Sequence, residues 1–320
     1  MFPSMRHPSR HVWDFWYYFD SASKLFHIFY LNADEILVSS DKHHFASCVG
    51  HATTSDFIRM DWGNDRDYRV LTALPNHWAN TSIWSGDIIK VSNGFLLFYT
   101  SRNREQDDGM TQNIGIAYSS SISTSSWQLS SLRIEPGFDY LPKNLQGDLS
   151  THAWRDPFIF RENNQIYMLL SAKSTQDPIG RNGVIGCLRL KDRNFREWEY
   201  LQPIAQPSCY SEMEVPQLYK DPQGNYELVF SSWAKNDFSP FTRKSGGFQG
   251  LTASNLKDFS NQQPHVLMSE KSGLYACRII PEMDGEIVGF DIQDGGIRRS
   301  GVRTNFQEVD RNFTDFTFEM

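Results

Sequence analysis

Apolar positions along this chain fall in short runs that end in turn residues, and no long run keeps a helical period. Leu25-Phe26-His27-Ile28-Phe29-Tyr30-Leu31, Phe95-Leu96-Leu97-Phe98-Tyr99-Thr100, Gln165-Ile166-Tyr167-Met168-Leu169-Leu170 and Tyr226-Glu227-Leu228-Val229-Phe230-Ser231 have strand length and strand composition. Each follows a turn: Asp20 to Lys24, Ser92 to Gly94, Glu162 to Asn164 and Asp221 to Asn225. Ahead of each turn lies another short strand, beginning near Val12, Ser85, Asp156 and Glu214. A fifth unit pairs Gly273 to Ile280 with Glu286 to Phe290 across Met283-Asp284-Gly285. The hairpins recur roughly every 65 residues, a spacing that suits propeller blades of four strands. Helical character is confined to short segments such as Asp192 to Trp198, and no linker or charge run divides the chain. The Ser-rich stretch from Ser119 to Ser126, broken by Ile122 and followed by Trp127, reads as a blade loop. The pattern predicts an all-β chain folded over residues 1–320 as one five-bladed β-propeller.

If the first strand of every unit lines a central channel, the starts of those strands meet at one end of it. Asp14, Asp87, Asp156 and Glu214 would then face a common pocket. Taken singly, Asp14 is an acid capping an aromatic strand, and Arg155-Asp156 is a structural ion pair. Their occurrence one per unit is what points to a convergent site. Cleaving a glycosidic bond needs one carboxylate to attack or to activate water and a second carboxyl to protonate the leaving oxygen. Asp14, hemmed by Trp13, Phe15 and Trp16, suits the first role. Glu214, set among Met213, Val215 and Pro216, has an apolar setting for a proton donor. Asp156 beside Arg155 is expected to stay charged, positioning hydroxyls and favouring a positive sugar ring. Glu212 shares a strand face with Glu214, and Glu214 is preferred because it stands two residues before Pro216.

Composition narrows the partners. Aromatic residues make up 14% of the chain, with 9 Trp, 13 Tyr and 23 Phe, enough that some should line a sugar-stacking surface as well as the core. A net charge of −7 with no basic run excludes a nucleic-acid-binding surface. Cys48, Cys187, Cys209 and Cys277 are far apart and lack metal-ligand spacing, so they are expected as reduced, buried thiols. The N-terminal residues hold no apolar signal region, and no run reaches membrane-spanning length. The expectation is a cytoplasmic protein with a small carbohydrate as partner, without cofactor, metal or membrane contact.

The residues also carry a resemblance. Trp154-Arg155-Asp156-Pro157 is similar to the Arg-Asp-Pro motif of glycoside hydrolase family 32, the invertase, levanase and inulinase group, and Glu214-Val215-Pro216 is similar to its Glu-Cys-Pro motif. Val12-Trp13-Asp14-Phe15-Trp16 resembles the Val-Trp-Asp-Ser-Trp stretch of the related levansucrases in family 68. Gly50-His51-Ala52-Thr53-Thr54-Ser55-Asp56, Trp84-Ser85-Gly86-Asp87 and Leu274-Tyr275-Ala276 resemble further motifs, in the family's order. The resemblance implies a catalytic propeller acting on β-fructofuranosides such as sucrose or short fructans. It makes Asp14 the nucleophile, Glu214 the acid/base, and Asp156 with Arg155 the stabiliser of ring hydroxyls, while Trp13, Trp84 and Ser85 line the fructose subsite. Retention would place Asp14 and Glu214 about 5–5.5 Å apart.

Three departures stand out. Asp87 replaces a Ser of the motif and is expected to add a carboxylate near the ring, and Leu31 stands where invertases carry a Gln. After Thr304 there is no room for the family's C-terminal β-sandwich, which leaves a flank that a second copy could cover as a homodimer. Two other readings stay open: an inverting arabinofuranosidase or xylosidase of the family 43 type, with carboxyls about 6.5–9.5 Å apart, and a non-catalytic sugar-binding propeller.

Overall fold

The alternation of apolar runs with turns builds five antiparallel sheets, the blades of a β-propeller. The computed structural model describes residues 2–64, 67–123, 127–137, 139–142, 153–242 and 244–320. Blade I holds β1 (His11–Asp20), β2 (Leu25–Ala33) and β3 (Cys48–Thr54). Blade II holds β4 (Ile83–Val91), β5 (Gly94–Arg102), β6 (Gln112–Ser119) and β7 (Gln128–Leu129). Blade III holds β8 (Trp154–Glu162), β9 (Gln165–Lys173), β10 (Gly183–Leu190) and β11 (Trp198–Ala205). Blade IV holds β12 (Glu214–Lys220), β13 (Tyr226–Ser232), β14 (Gly247–Ala253) and β15 (His265–Ser269). Blade V holds β16 (Leu274–Ile280), β17 (Glu286–Asp291) and β18 (Ile297–Arg303), and β19 (Gln307–Glu308) follows. Of the Ser-rich stretch, Ser119 ends β6, and residues 124–126 lie outside the described residues.

Local chemistry sets the hairpins. Asn163 and Asn164 both take positive φ, 50° and 60°, as a two-residue turn between right-twisted strands requires. In the Asp221 to Asn225 turn, the Asp221 carboxylate accepts from the Gln223 and Asn225 amides at 2.9 and 2.8 Å.

Each seam between neighbouring blades has its own apolar core. Trp16, Leu31 and Leu97 belong to the seam of I and II, and Phe98, Trp154 and Ile159 to that of II and III. Phe160, Leu218 and Phe230 fill the seam of III and IV, Val229, Cys277 and Ile279 that of IV and V, and Phe15, Ile28 and Val288 the closing one. The ring is fastened by the N-terminal segment, where Met5 exchanges backbone hydrogen bonds of 2.8 and 3.1 Å with Ile297 of β18. All four cysteines are free, three of them buried. No described helix is long and apolar enough to cross a membrane.

No C-terminal sandwich follows blade V among the described residues. The terminal segment instead crosses the far ends of three inner strands. β19 pairs with Tyr219 and Lys220 of β12, Asp310 with Arg161 of β8, and Phe313 with Val91 of β4. Phe313 and Phe318 sink into the seam of blades II and III.

Candidate active site

All five inner strands carry an irregularity at the same end. The register slips by one residue between Val12 and Phe15, Trp84 and Gly86, Arg155 and Phe158, Glu214 and Gln217, and Tyr275 and Arg278. Such bulges re-aim side chains and tolerate proline, which explains Pro157 and Pro216 inside strands. Asp156, Val215 and Ala276 sit in the bulges at φ 61°, 51° and 46°. A β-branched residue such as Val215 in that region is strained, at a cost of about 1–3 kcal/mol, and such strain collects at functional sites. In blade II the backbone presses so closely on β5 that a Cβ on Gly86 would lie 2.0 Å from the Phe98 carbonyl oxygen.

The bulges surround a cavity of about 430 Å³, within the size range of small-ligand pockets. Trp13, Asp14, Trp84, Ser85, Arg155, Asp156 and Glu214 line it, each a residue singled out from the sequence. Ser85 Oγ donates to Asp14 Oδ2 at 2.5 Å, joining blades II and I. Thr100 Oγ1 donates to the Ser85 carbonyl at 2.9 Å and accepts from the Asp156 amide at 3.0 Å. Asp156 Oδ2 in turn accepts from the Val215 amide of blade IV at 3.1 Å. Arg155 Nη2 donates to Glu214 Oε1 at 2.9 Å and to Glu212 Oε2 at 2.7 Å. The Tyr275 hydroxyl of blade V donates to the other oxygen of Glu214. Every blade therefore supplies a group to one hydrogen-bonded network.

Burial governs the electrostatics. It pushes the Asp14 carboxyl up to about 6, against the Ser85 hydroxyl and with the repulsion of Glu214. Burial likewise lifts Asp156 to about 7, with Arg155 pulling it down and Asp14 and Glu214 pushing it up. Asp156, expected to stay charged beside Arg155, is thus drawn toward its protonated form by burial. The Arg155 fork is spent on Glu212 and Glu214, while its Nε stays 3.5 Å from Asp156. Glu212 is held below the usual carboxylate range, because Arg155 and Lys173 Nζ, the latter at 2.6 Å, outweigh its burial.

Asp87 is the second correction. It does not line the cavity and adds no carboxylate near a bound ring. Its side chain, 1% exposed, accepts from the Ile159 amide at 2.8 Å and from Arg311 of the terminal segment at 2.7 Å. The extra residue at Ser85 breaks the strand alternation, so Ser85 turns to the cavity while Asp87 ties β4 to β8. His51 lies in β3, with its Nε2 3.0 Å from His27 Nδ1.

Other lining residues were not assigned from the sequence: Tyr275, Gln112, His11, His43, His44 and Trp233. Tyr275 had a signal, since it opens the fifth inner strand as Asp14 and Glu214 open theirs. Its ring stacks on Trp233 with centroids 3.8 Å apart. Gln112 Oε1 accepts from the Trp154 amide at 3.2 Å, and its Nε2 is buried without a partner among the described residues. Leu31 lines the cavity as an apolar wall.

Five blades thus gather Asp14, Asp156 and Glu214 at one end of the central channel. The chain belongs to glycosyl hydrolase family 32: the profile described as glycosyl hydrolases family 32 N-terminal domain matches residues 17–285, beginning just past Asp14. Among solved structures, the inulosucrase of Halalkalicoccus jeotgali bound to kestose is similar at 18% identity and a TM-score of 0.69, over 91% of this chain and 79% of that one. A β-fructofuranosidase variant from Microbacterium saccharophilum K-1 is similar at 16% identity and a TM-score of 0.67, over 93% and 72%. A B. megaterium levansucrase variant is similar at 15% identity and 0.66, over 91% and 81%. No curated protein matches the chain.

Proposed function

We propose that this protein cleaves β-fructofuranosides, sucrose or a short fructan, by a retaining double displacement. The observation that carries the reading is the shared network of Asp14, Asp156 and Glu214, drawn from blades I, III and IV onto one cavity. Asp14, ionised, attacks the anomeric carbon of the fructosyl unit as Glu214 gives a proton to the departing glycosidic oxygen. The fructosyl ester on Asp14 is then attacked by water, or by a second sugar's hydroxyl, whose proton returns to Glu214. Asp156 accepts from ring hydroxyls, and its raised pKa eases the repulsion between neighbouring acids until substrate arrives. Trp13 and Trp84 offer faces for the sugar, and Arg155 fixes the direction of Glu214.

Family membership favours this reading over the family 43 type. Incubation with sucrose, kestose, levan and an aryl arabinofuranoside, followed by identification of the released sugars, should yield fructose from the first three alone. The Asp14→Asn variant should keep sugar binding and lose turnover. Release of arabinose, or the absence of turnover from wild-type protein that binds sucrose, would overturn it.

A further inference from the structure

The segment between β2 and β3 carries Asp41, His43 and His44 at the rim of the cavity, and none of them is used by the carboxylate network. Asp41 Oδ1 lies 3.8 Å from His43 Nδ1 and 3.6 Å from His44 Nε2, and the two imidazole centroids are 3.9 Å apart. Asp41 takes a left-handed backbone, φ 57°, and its amide closes the preceding turn onto the Leu37 and Val38 carbonyls. That sharp reversal brings its carboxylate back over the two rings.

His43 Nδ1 is buried and has no hydrogen-bond partner among the described residues, a state proteins generally avoid. A tetrahedral zinc site with bonds of about 2.0–2.2 Å needs ligand atoms about 3.3–3.5 Å apart. The two edges to Asp41 exceed this by only a few tenths of an ångström, and all three ligand atoms lie within 4.8 Å of one another, a span that side-chain rotations can close. Two imidazole nitrogens and one carboxylate suit zinc or a similar transition metal and poorly suit calcium or magnesium.

We propose that Asp41, His43 and His44 form a three-ligand site for a divalent transition metal, zinc by its donor set, at the mouth of the cavity. Three protein ligands leave a fourth position for water or for a hydroxyl of a bound molecule. Trp13 packs edge-on against both histidines, at 5.1 and 5.9 Å, and Trp84 Nε1 donates to the His44 carbonyl at 2.7 Å. An ion here would therefore clamp the rim onto two walls of the cavity.

Calorimetric titration of chelator-stripped protein with zinc chloride tests this, and because it needs no substrate it stands apart from the glycosidase reading. One zinc per chain is expected, and cobalt in its place should give the visible absorption of a tetrahedral nitrogen and oxygen site. Asp41 is 84% exposed and lies outside the cavity lining. Asp41→Asn, which tolerates the left-handed backbone, should weaken zinc binding by about tenfold or more without changing metal-free activity. The double variant His43→Gln, His44→Gln should lose saturable binding altogether. Absence of saturable binding by wild-type protein, unchanged affinity in Asp41→Asn, or a thiolate-type cobalt spectrum would overturn the proposal.

Discussion

Replacing Ser85 by Ala should move the acid limb of the pH profile upward. The Ser85 hydroxyl donates to Asp14 Oδ2 at 2.5 Å and so favours the ionised carboxylate. It is one of the forces opposing the burial that lifts Asp14 to about 6. A hydrogen bond to a charged group contributes about 1.5–3 kcal/mol, which at about 1.36 kcal/mol per pH unit is roughly one to two units. Asp14 has to be ionised to attack, so activity falls as pH drops through its pKa. Losing the donor raises that pKa, and the limb should shift from about pH 6 to about pH 7–8. Backbone contacts survive, because Thr100 reaches the Ser85 carbonyl and not its side chain. The assay is kcat/KM for sucrose across pH, following released fructose in wild type and variant. Burial also lifts Asp156 to about 7 and Asp14 repels it, so the limb belongs to the coupled pair; Ser85 touches only Asp14, and the shift between the two profiles reports the lost donor. A folded variant whose limb is unmoved, or moved to lower pH, would refute the reasoning.

Three further outcomes follow from the same geometry. Tyr275→Phe keeps the ring stacked on Trp233 but deletes the hydroxyl that holds Glu214, and kcat should fall roughly 10- to 150-fold at unchanged melting temperature; a change under about twofold in steady-state kinetics would contradict the positioning role. Asp156 has a raised pKa, so the native state keeps a proton that the unfolded chain releases, and stability is lost as pH rises from about 4 to about 7. Asp156→Asn should remove this loss, which is at most about 4 kcal/mol, melting higher than wild type at pH 8 but not at pH 4 while turnover disappears; a stability difference independent of pH in thermal denaturation would count against it. Arg311→Ala leaves the buried Asp87 carboxylate without its counter-ion, so chemical denaturation should show a loss of about 3–5 kcal/mol with KM for sucrose unchanged below the transition; the reverse pattern would return Asp87 to the sugar site.

The blade plan was legible because each inner strand is followed by a turn and an apolar partner strand, a pattern with period two that survives in the sequence around Leu25, Phe95, Gln165 and Tyr226. Asp14, Asp156 and Glu214 were legible for the same reason, standing at the start of three such strands. Asp87 was misplaced because a bulge adds one residue and alters the face that follows, and nothing in Trp84-Ser85-Gly86-Asp87 marks where the extra residue falls. The partners of Arg155 were illegible too: its sequence neighbour Asp156 lies at 3.5 Å, while Glu212 and Glu214, about sixty residues on, take its fork. Lys173 reaches Glu212 from the end of a second strand, and His43 and His44 come from a short helical segment with no strand period. The terminal strap announces itself only through Phe313 and Phe318, since its strand, β19, has two residues.

The central claim is that Asp14 forms a covalent ester that is then displaced from the opposite face, the one the leaving group vacated. The most direct measurement is the anomeric configuration of methyl fructoside formed from sucrose in water containing methanol, read by nuclear magnetic resonance before any secondary hydrolysis. Methyl β-fructofuranoside, absent with Asp14→Asn, is the expected product. Formation of the α anomer would mean a single displacement, and would contradict the assignment of Asp14 as nucleophile.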